Sequence, residues 1–146
     1  MQLTVKKFDE LETDELFSIY KLRMEVFIVE QNCPYRDIDD YDKEAYHVYL
    51  KEDGDIVAYL RLLPKGVRFS EVSIGRVIAV KRRMGYGSRI VKAGIDAAKE
   101  KLDPDRIIIE AQVYAKGLYE KLGFVKTSEE FLEDDIPHIQ MTLNLK

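Results

Sequence analysis

Alternating and helical spacings of apolar residues predict that the chain begins with a strand and then a helix. Residues 3–8 alternate weakly between apolar and polar side chains, which is typical of an edge strand. Thr13 is expected to cap a helix, because Asp14 and Glu15 follow it and the helix dipole favours acidic residues in a first turn. The apolar residues that follow fall mostly on one helical face: Leu16, Ile19, Tyr20, Val26 and Phe27.

Turn residues and β-branched residues predict that the middle of the chain is mostly strand. Residues 33–44 have the turn-forming and acidic composition of a loop. Residues 47–52 and 56–63 flank a turn centred on Gly54, so they are predicted to form a hairpin. Residues 72–80 are rich in β-branched side chains and are predicted to form a further strand.

Helices and strands are predicted to alternate in the rest of the chain. The predicted elements are, in order, a helix over 87–101, a strand over 106–112, a short helix over 115–122 and strands over 124–125 and 138–145. Three consecutive isoleucines in residues 106–112 suit a strand covered on both faces. Gly123 is expected to end the short helix, and the acidic residues 129–135 are expected to form a loop. A helical crossover between two of the strands predicts an α/β fold, a mixed sheet with helices on both faces.

Length and composition place the chain among ordinary globular domains. Of its 146 residues, 46% are hydrophobic and 34% are charged, which argues against disorder. No repeat or linker-like stretch interrupts the sequence, so residues 1–146 are expected to form a single domain. No apolar run approaches ~18 residues, and no apolar signal-peptide core follows Met1. The single cysteine, Cys33, cannot form an internal disulfide, so a cytoplasmic protein is expected.

The charge balance narrows the classes of partner. With 23 basic and 27 acidic residues the formal net charge is −4, which disfavours a nucleic-acid binder. A net negative charge is compatible with a cationic amine substrate, which an acidic surface would attract. Two histidines and one cysteine make a metal site unexpected, and we expect no membrane partner.

The stretch over residues 77–91 combines a strand, a basic loop with glycines and the start of a helix. Lys81, Arg82 and Arg83 supply positive charge, and Gly85 and Gly87 let the backbone approach an anion closely. The helix N-terminus adds unpaired N–H groups. The stretch lacks both the Walker loop and the dinucleotide fingerprint. It predicts a phosphate or pyrophosphate site, and a tight turn with a solvated basic patch is the alternative.

Two short motifs resemble those of the GNAT superfamily of N-acetyltransferases. Residues 82–87, Arg-Arg-Met-Gly-Tyr-Gly, fit the Arg/Gln-x-x-Gly-x-Gly/Ala loop that holds the pyrophosphate of acetyl-CoA in that family. Residues 112–124 are similar to its second signature, Asn-x-x-Ala-x-x-x-Tyr-x-x-x-Gly-Phe, with Gln112 in place of the asparagine. Residues 26–35 and 136–139 resemble the ElaA-like branch.

The resemblance implies a mostly antiparallel sheet of six or seven strands and acetyl-CoA as cosubstrate, with no metal. The acetyl group would pass directly to a primary amine of a small molecule or a protein. The residues expected to bind acetyl-CoA are Ile78, Ala79, Val80, Arg82, Arg83, Met84, Gly85, Tyr86, Gly87, Ser88 and Gln112. Dimers are common in this family, which makes a homodimer an open expectation.

Tyr119 stands at the tyrosine position of the second motif, and the resemblance implies that it is the catalytic acid. A phenol has an ordinary pKa of ~10 and a free thiol ~8.5, so a phenol can donate to a departing thiolate as charge builds. The alternative is that Tyr119 only packs in its helix.

The acceptor side of the reaction is less defined by the sequence. The residues expected to line the acceptor pocket are Glu30, His47, Glu110 and His138. His138 has a second interpretation, that it only satisfies a backbone carbonyl. Candidates for a general base are Glu30, Asp37, Asp42, His47 and Glu110, with a water relay as the alternative. The acidic loop around Asp37 and Asp42 is either solvated or part of a pocket that attracts a cationic amine.

Two other functions are compatible with the same sequence. One is a non-catalytic acyl-CoA-binding or regulatory module with this fold, which Gln112 in the second motif keeps open. The other is a protein-interaction domain with a basic turn and no cofactor. Turnover with a panel of amines separates the first from an enzyme, and titration with CoA separates the second.

Overall fold

The computed structural model describes residues 1–80 and 84–146, so Lys81, Arg82 and Arg83 lie outside the described residues. The strands are β1 (Gln2–Lys7), β2 (Tyr46–Glu52), β3 (Asp55–Leu63), β4 (Val72–Ala79), β5 (Arg106–Gln112), β6 (Val125–Lys126), β7 (Phe131–Glu133) and β8 (Ile136–Asn144). The α-helices are α1 (Thr13–Arg23), α2 (Tyr86–Lys101) and α3 (Lys116–Lys121). A π-helical segment, Met24–Glu30, continues α1, and short 3₁₀ turns lie at Phe8–Glu10, Asp40–Lys43 and Val113–Ala115.

One sheet of the order β1-β2-β3-β4-β5-β8-β6 forms the centre of the described fold, and β7 pairs with β8. The pair β4–β5 is parallel, because α2 connects the two strands as a crossover, and the other paired strands are antiparallel. The predicted mixed, mostly antiparallel sheet is confirmed. The sheet has eight strands in the described residues instead of six or seven.

The additional strand lies where the sequence predicted a loop. Residues 131–133 form β7, which pairs with β8 from Phe131 opposite His138 to Glu133 opposite Ile136. Asp134 and Asp135 turn the chain between them with φ angles of 50° and 62°, a left-handed conformation that aspartate tolerates better than most residues. The hairpin was not predicted because this run is acidic, and glutamate and aspartate are depleted in strands.

The start of α1 also differs from the prediction. Glu12, not Thr13, is the capping residue: its φ and ψ are −79° and 160°, and Thr13 is already helical. The backbone N–H of Glu12 donates to Glu15 Oε1 at 2.8 Å, which completes a reciprocal capping arrangement with the Glu12 side chain.

Two apolar layers cover the sheet, one on each face, and β3 contributes alternate residues to both. Leu60 packs under α2 with Ile90 and Ile107, whereas Tyr59 packs under α1 with Ile19. Helices therefore lie on both faces, as predicted. The two faces of β5 are buried to different extents. Ile107 on one face is fully buried, whereas Ile108 on the other face is only partly buried.

A network of buried charges connects the loop at residues 33–44 to α1 and β3. Arg23, which is fully buried, reaches Asp37 Oδ2 through Nε and Asp42 Oδ1 through Nη1, both at 2.8 Å. Arg61 reaches the same Asp42 oxygen at 3.0 Å. Burial alone would raise the pKa of Asp42, but the two guanidinium groups hold that pKa below its ordinary value. The expectations of a solvated loop or an acceptor-pocket acid are wrong for Asp37 and Asp42, which serve an internal structure.

His47 belongs to this network and not to an acceptor pocket, which corrects the sequence prediction. Its ring is fully buried, with Nε2 2.9 Å from the Asp42 carbonyl and Nδ1 2.7 Å from the Tyr59 hydroxyl. A carbonyl only accepts, so Nε2 carries the proton and Nδ1 accepts from the Tyr59 O–H. Burial lowers the pKa of His47, which keeps the ring neutral.

The lowered pKa of His47 predicts a loss of stability in mild acid. Below the ordinary histidine pKa of ~6.5 the unfolded chain binds a proton that the folded chain excludes. The free energy of unfolding should therefore fall with decreasing pH by up to about 1.4 kcal/mol per pH unit from this residue. Urea unfolding between pH 7 and pH 5 measures it. His47→Gln should flatten the fall, and equal slopes for this variant and the wild type would contradict the assignment.

Candidate active site

A cleft opens where β4 and β5 separate. The two strands pair only between residues 72–74 and residues 107–109. Further along, β4 stays with β3 and β5 stays with β8. A register shift between Tyr59 and Arg61 places an extra residue in β4, and Arg76 there has a φ of 52°. Such a bulge bends its strand, so it accounts for the divergence. The edge of β4 beyond Ile74 that faces β5 has no strand partner in the described residues.

The cleft has a volume of about 720 Å³, which is in the range of small-molecule sites. Most of the predicted site residues that the structure describes line it, namely Glu30, Ile78, Ala79, Val80, Gly85, Tyr86, Gly87, Ser88, Glu110, Gln112, Tyr119 and His138. Met84 is 60% exposed and does not line the cleft, so its role in binding acetyl-CoA stays a prediction. Arg82 and Arg83 lie outside the described residues.

The start of α2 forms one end of the cleft. Gly85 stands at the N-cap with a φ of 75°, a conformation that glycine adopts without strain. The first N–H groups of this 16-residue helix have no intrahelical partner and carry partial positive charge. Tyr86 contributes its backbone here, because its hydroxyl donates to Glu52 on β2. A helix start of this kind can hold an anion.

Tyr119 belongs to α3 and lines the cleft. Its side chain is 5% exposed and meets Phe124 edge to face, with the ring centroids 5.8 Å apart. Its hydroxyl makes no hydrogen bond with any residue in 1–80 or 84–146. Burial raises the pKa of Tyr119, so the phenol stays protonated and available as a donor.

The acidic end of the cleft contains two carboxylates beside one arginine. Glu110 on β5 and Glu133 on β7 both bind Arg68, with Nη2–Oε1 distances of 2.7 Å and 3.2 Å. Burial raises the pKa of Glu110, and the Glu133 carboxylate adds to the rise, whereas Arg68 lowers it. Glu30 is exposed at the end of the π-helical segment, where it adds a further negative charge.

His138 fits both of its sequence interpretations. Nδ1 lies 2.6 Å from the carbonyl oxygen of Ile136, so it carries the proton and donates. Nε2 lies 4.0 Å from Glu133 Oε2, and the ring stacks on Phe131 with a centroid separation of 6.0 Å. The residue therefore satisfies a backbone carbonyl and lines the cleft at the same time.

Several contacts between lining residues were not predicted from the sequence. Arg68 lies in the loop between β3 and β4, 42 residues from its partner Glu110. Gln31 meets Gln112 through their side-chain amides at 3.5 Å, across 81 residues. Cys33 lines the cleft, and its thiol lies 3.2 Å from the Asp134 carbonyl. These contacts follow from the pairing of distant strands, which short motifs do not encode.

Comparison with known proteins agrees with this geometry. Residues 10–145 match the sequence model of the acetyltransferase (GNAT) domain. The chain belongs to the GNAT family. It is 37% identical over 149 residues to the UPF0039 protein C11D3.02c of Schizosaccharomyces pombe, covering 99% of this chain and 98% of that protein. It is 33% identical over 136 residues to the protein ElaA of Escherichia coli, covering 90% and 89%.

Two solved GNAT structures share nearly the whole fold. An acyl-CoA N-acyltransferase from Pseudomonas aeruginosa superposes with a TM-score of 0.90 at 37% identity, covering 98% of this chain and 99% of that one. E. coli ElaA superposes with a TM-score of 0.91 at 31% identity, covering 99% and 100%. The chain is thus an ElaA-like GNAT protein with an acyltransferase fold.

Neither a membrane-spanning helix nor a metal cluster is found in the parts of the chain that the structure describes. None of the helices in residues 1–80 and 84–146 is long and apolar enough to cross a membrane. No group of three histidine, cysteine, aspartate or glutamate side chains in those residues is arranged to hold a metal ion.

Proposed function

We propose that this GNAT protein transfers an acetyl group from acetyl-CoA directly to a primary amine of a small molecule or a protein. The observation that carries the proposal is that one cleft contains an unpaired strand edge, a helix N-terminus and the Tyr119 hydroxyl. The similarity to an acyl-CoA N-acyltransferase at 37% identity supports the same class of reaction.

The unpaired edge of β4 suits an amide-containing chain such as the pantetheine arm. Backbone N–H and C=O groups beyond Ile74 can pair with the two amides of that arm, as a strand edge pairs with an added strand. The pyrophosphate then reaches the first turn of α2, where Gly85 to Ser88 present backbone donors. These two contacts would place the thioester between β4 and β5, beside Tyr119.

The reaction needs a neutral amine, a donor for the oxyanion and help for the leaving thiolate. As the amine nitrogen bonds to the acetyl carbon, negative charge moves to the carbonyl oxygen, which a backbone N–H of β4 would stabilise. The C–S bond then breaks, and the thiolate accepts a hydrogen bond from Tyr119. Holding both reactants in one cleft contributes through orientation.

Acetylation of a panel of primary amines, followed by mass spectrometry with acetyl-CoA as donor, tests the proposal. We expect saturable formation of an acetylated amine together with free CoA. CoA binding by calorimetry without turnover on any amine would favour the acyl-CoA-binding or regulatory module. No CoA binding at all would favour the interaction domain.

Enlarging Gly87 is expected to weaken CoA binding while the fold is kept. A Cβ at this position would meet Leu118 Cδ2 at 3.4 Å and Ala79 Cβ at 3.9 Å, which is ordinary contact, so Gly87→Ala should fold. Gly87→Val puts a branched side chain beside the backbone that a phosphate would approach, so calorimetry should show a large loss of CoA affinity. Gly117→Ala, which adds a Cβ into open space on α3, is the matched control. Unchanged affinity in a folded Gly87→Val protein would contradict the proposed phosphate site.

A further inference from the structure

The acidic end of the cleft is assembled from four separate elements. Glu110 lies on the diverging half of β5, Glu133 on β7, His138 on β8, and Arg68 in the loop between β3 and β4. Arg68, Glu133 and His138 are the charged or titratable groups that face the Glu110 carboxylate in the described residues. Because each comes from a different element, the fold itself fixes the surroundings of this carboxylate.

The two oxygens of Glu110 have different environments. Oε1 accepts a hydrogen bond from Arg68 Nη2 at 2.7 Å, and the same nitrogen donates to Glu133 Oε1 at 3.2 Å. Oε2 makes no hydrogen bond with any residue in 1–80 or 84–146. Arg68 therefore holds the carboxylate in place through one oxygen and leaves the other available inside the cleft that contains Tyr119.

We propose that Glu110 accepts the proton of the acceptor amine through Oε2, and that Arg68 and Glu133 are positioning residues that set the pH at which it does so. This inference rests on the proposed acetyl transfer. As the new C–N bond forms and the C–S bond breaks, one proton moves from the amine nitrogen to Glu110. CoA leaves as the thiolate, and Glu110 later returns its proton to water.

The charges around Glu110 act on it in opposite directions. Burial and Glu133 raise the pKa of Glu110, and Arg68 and His138 lower it. A carboxyl group with a raised pKa is a better proton acceptor near neutral pH than an ordinary one. Loss of the Arg68 charge should raise that pKa further, and loss of the Glu133 charge should lower it. If Arg68 and Glu133 had only a structural role, their replacement would not be expected to shift the pKa of Glu110 in opposite directions.

The experiment is the pH profile of kcat/KM for any amine that the wild-type protein acetylates, with rates expressed on the neutral form of the amine. Arg68→Gln should move the acid limb to higher pH by about one unit, and Glu133→Gln should move it to lower pH by a similar amount. Arg68→Lys keeps the charge and should leave the limb near its wild-type position. Glu110→Gln should remove the limb.

Arg106→Gln is the matched control, because Arg106 pairs with Glu71 at 3.0 Å on an exposed surface away from the cleft. Circular dichroism at each pH confirms that every variant is folded. Limbs that move in the same direction, or that do not move, in variants that still acetylate the amine would overturn this inference and leave the proposed function standing. Absence of acetylation by the wild-type protein would overturn both.

Discussion

Replacing Tyr119 by phenylalanine is expected to lower kcat and kcat/KM together while CoA affinity stays nearly constant. The variant keeps the ring that packs edge to face on Phe124 and removes only the hydroxyl. A contact made only in the transition state has this kinetic signature. Burial raises the pKa of Tyr119, so the phenol should donate a hydrogen bond to the thiolate instead of losing its proton. We expect a loss in the lower part of the ~10²–10⁴-fold range of acid catalysis.

Steady-state acetylation of an accepted amine and calorimetric titration with CoA provide the two measurements. Tyr46→Phe is the matched control, because Tyr46 lies on β2 outside the cleft and should retain full activity. Equal kcat values for wild type and Tyr119→Phe would remove the hydroxyl from the mechanism and leave a packing role. Lost CoA affinity with a normal kcat at saturation would instead make it a cofactor contact.

Replacing Arg23 by methionine is expected to cost about 3–5 kcal/mol of unfolding free energy. Arg23 is fully buried and contacts both Asp37 and Asp42 at 2.8 Å, so its removal leaves buried carboxylates with part of their positive charge missing. Such a loss is a large fraction of the ~5–15 kcal/mol that holds a typical domain folded. Urea unfolding at neutral pH measures it.

Arg106→Met is the corresponding surface control, since exposed pairs contribute only about 0–1 kcal/mol. Arg23→Lys keeps the charge but loses the fork that reaches two carboxylates, so its stability should lie between those of the wild type and Arg23→Met. A similar loss for Arg23→Met and Arg106→Met would contradict a special contribution from the buried network.

Local periodicity and turn chemistry were sufficient to predict much of the fold. β5 has the same bounds that its isoleucine run predicted, and the predicted hairpin over β2 and β3 is present. Gly123 ends α3 with a φ of 101°, as expected of a glycine after a helix. These features depend on residues that are close together in the chain, so they can be predicted from the local sequence.

The features that were not predicted depend on distant contacts. Asp37 and Asp42 have the composition of a solvated loop, and only the approach of Arg23 and Arg61 explains their burial. The sequence around His47 does not distinguish a buried structural histidine from one that lines a pocket. The family motifs identified the cleft because their chemistry is local: a strand edge, a helix start and Tyr119 on the next short helix.

Because β4 and β5 separate, the cleft has two portions that come from different elements. The portion that would hold CoA comes from β4, α2 and α3, whereas the acidic end comes from the far half of β5 and the β7–β8 hairpin. Glu110 and Gln112 point away from the apolar layer under α2 to which Ile109 and Ala111 belong. Exchange of the hairpin between ElaA-like proteins should therefore transfer a preference for one amine over another while the cosubstrate stays the same.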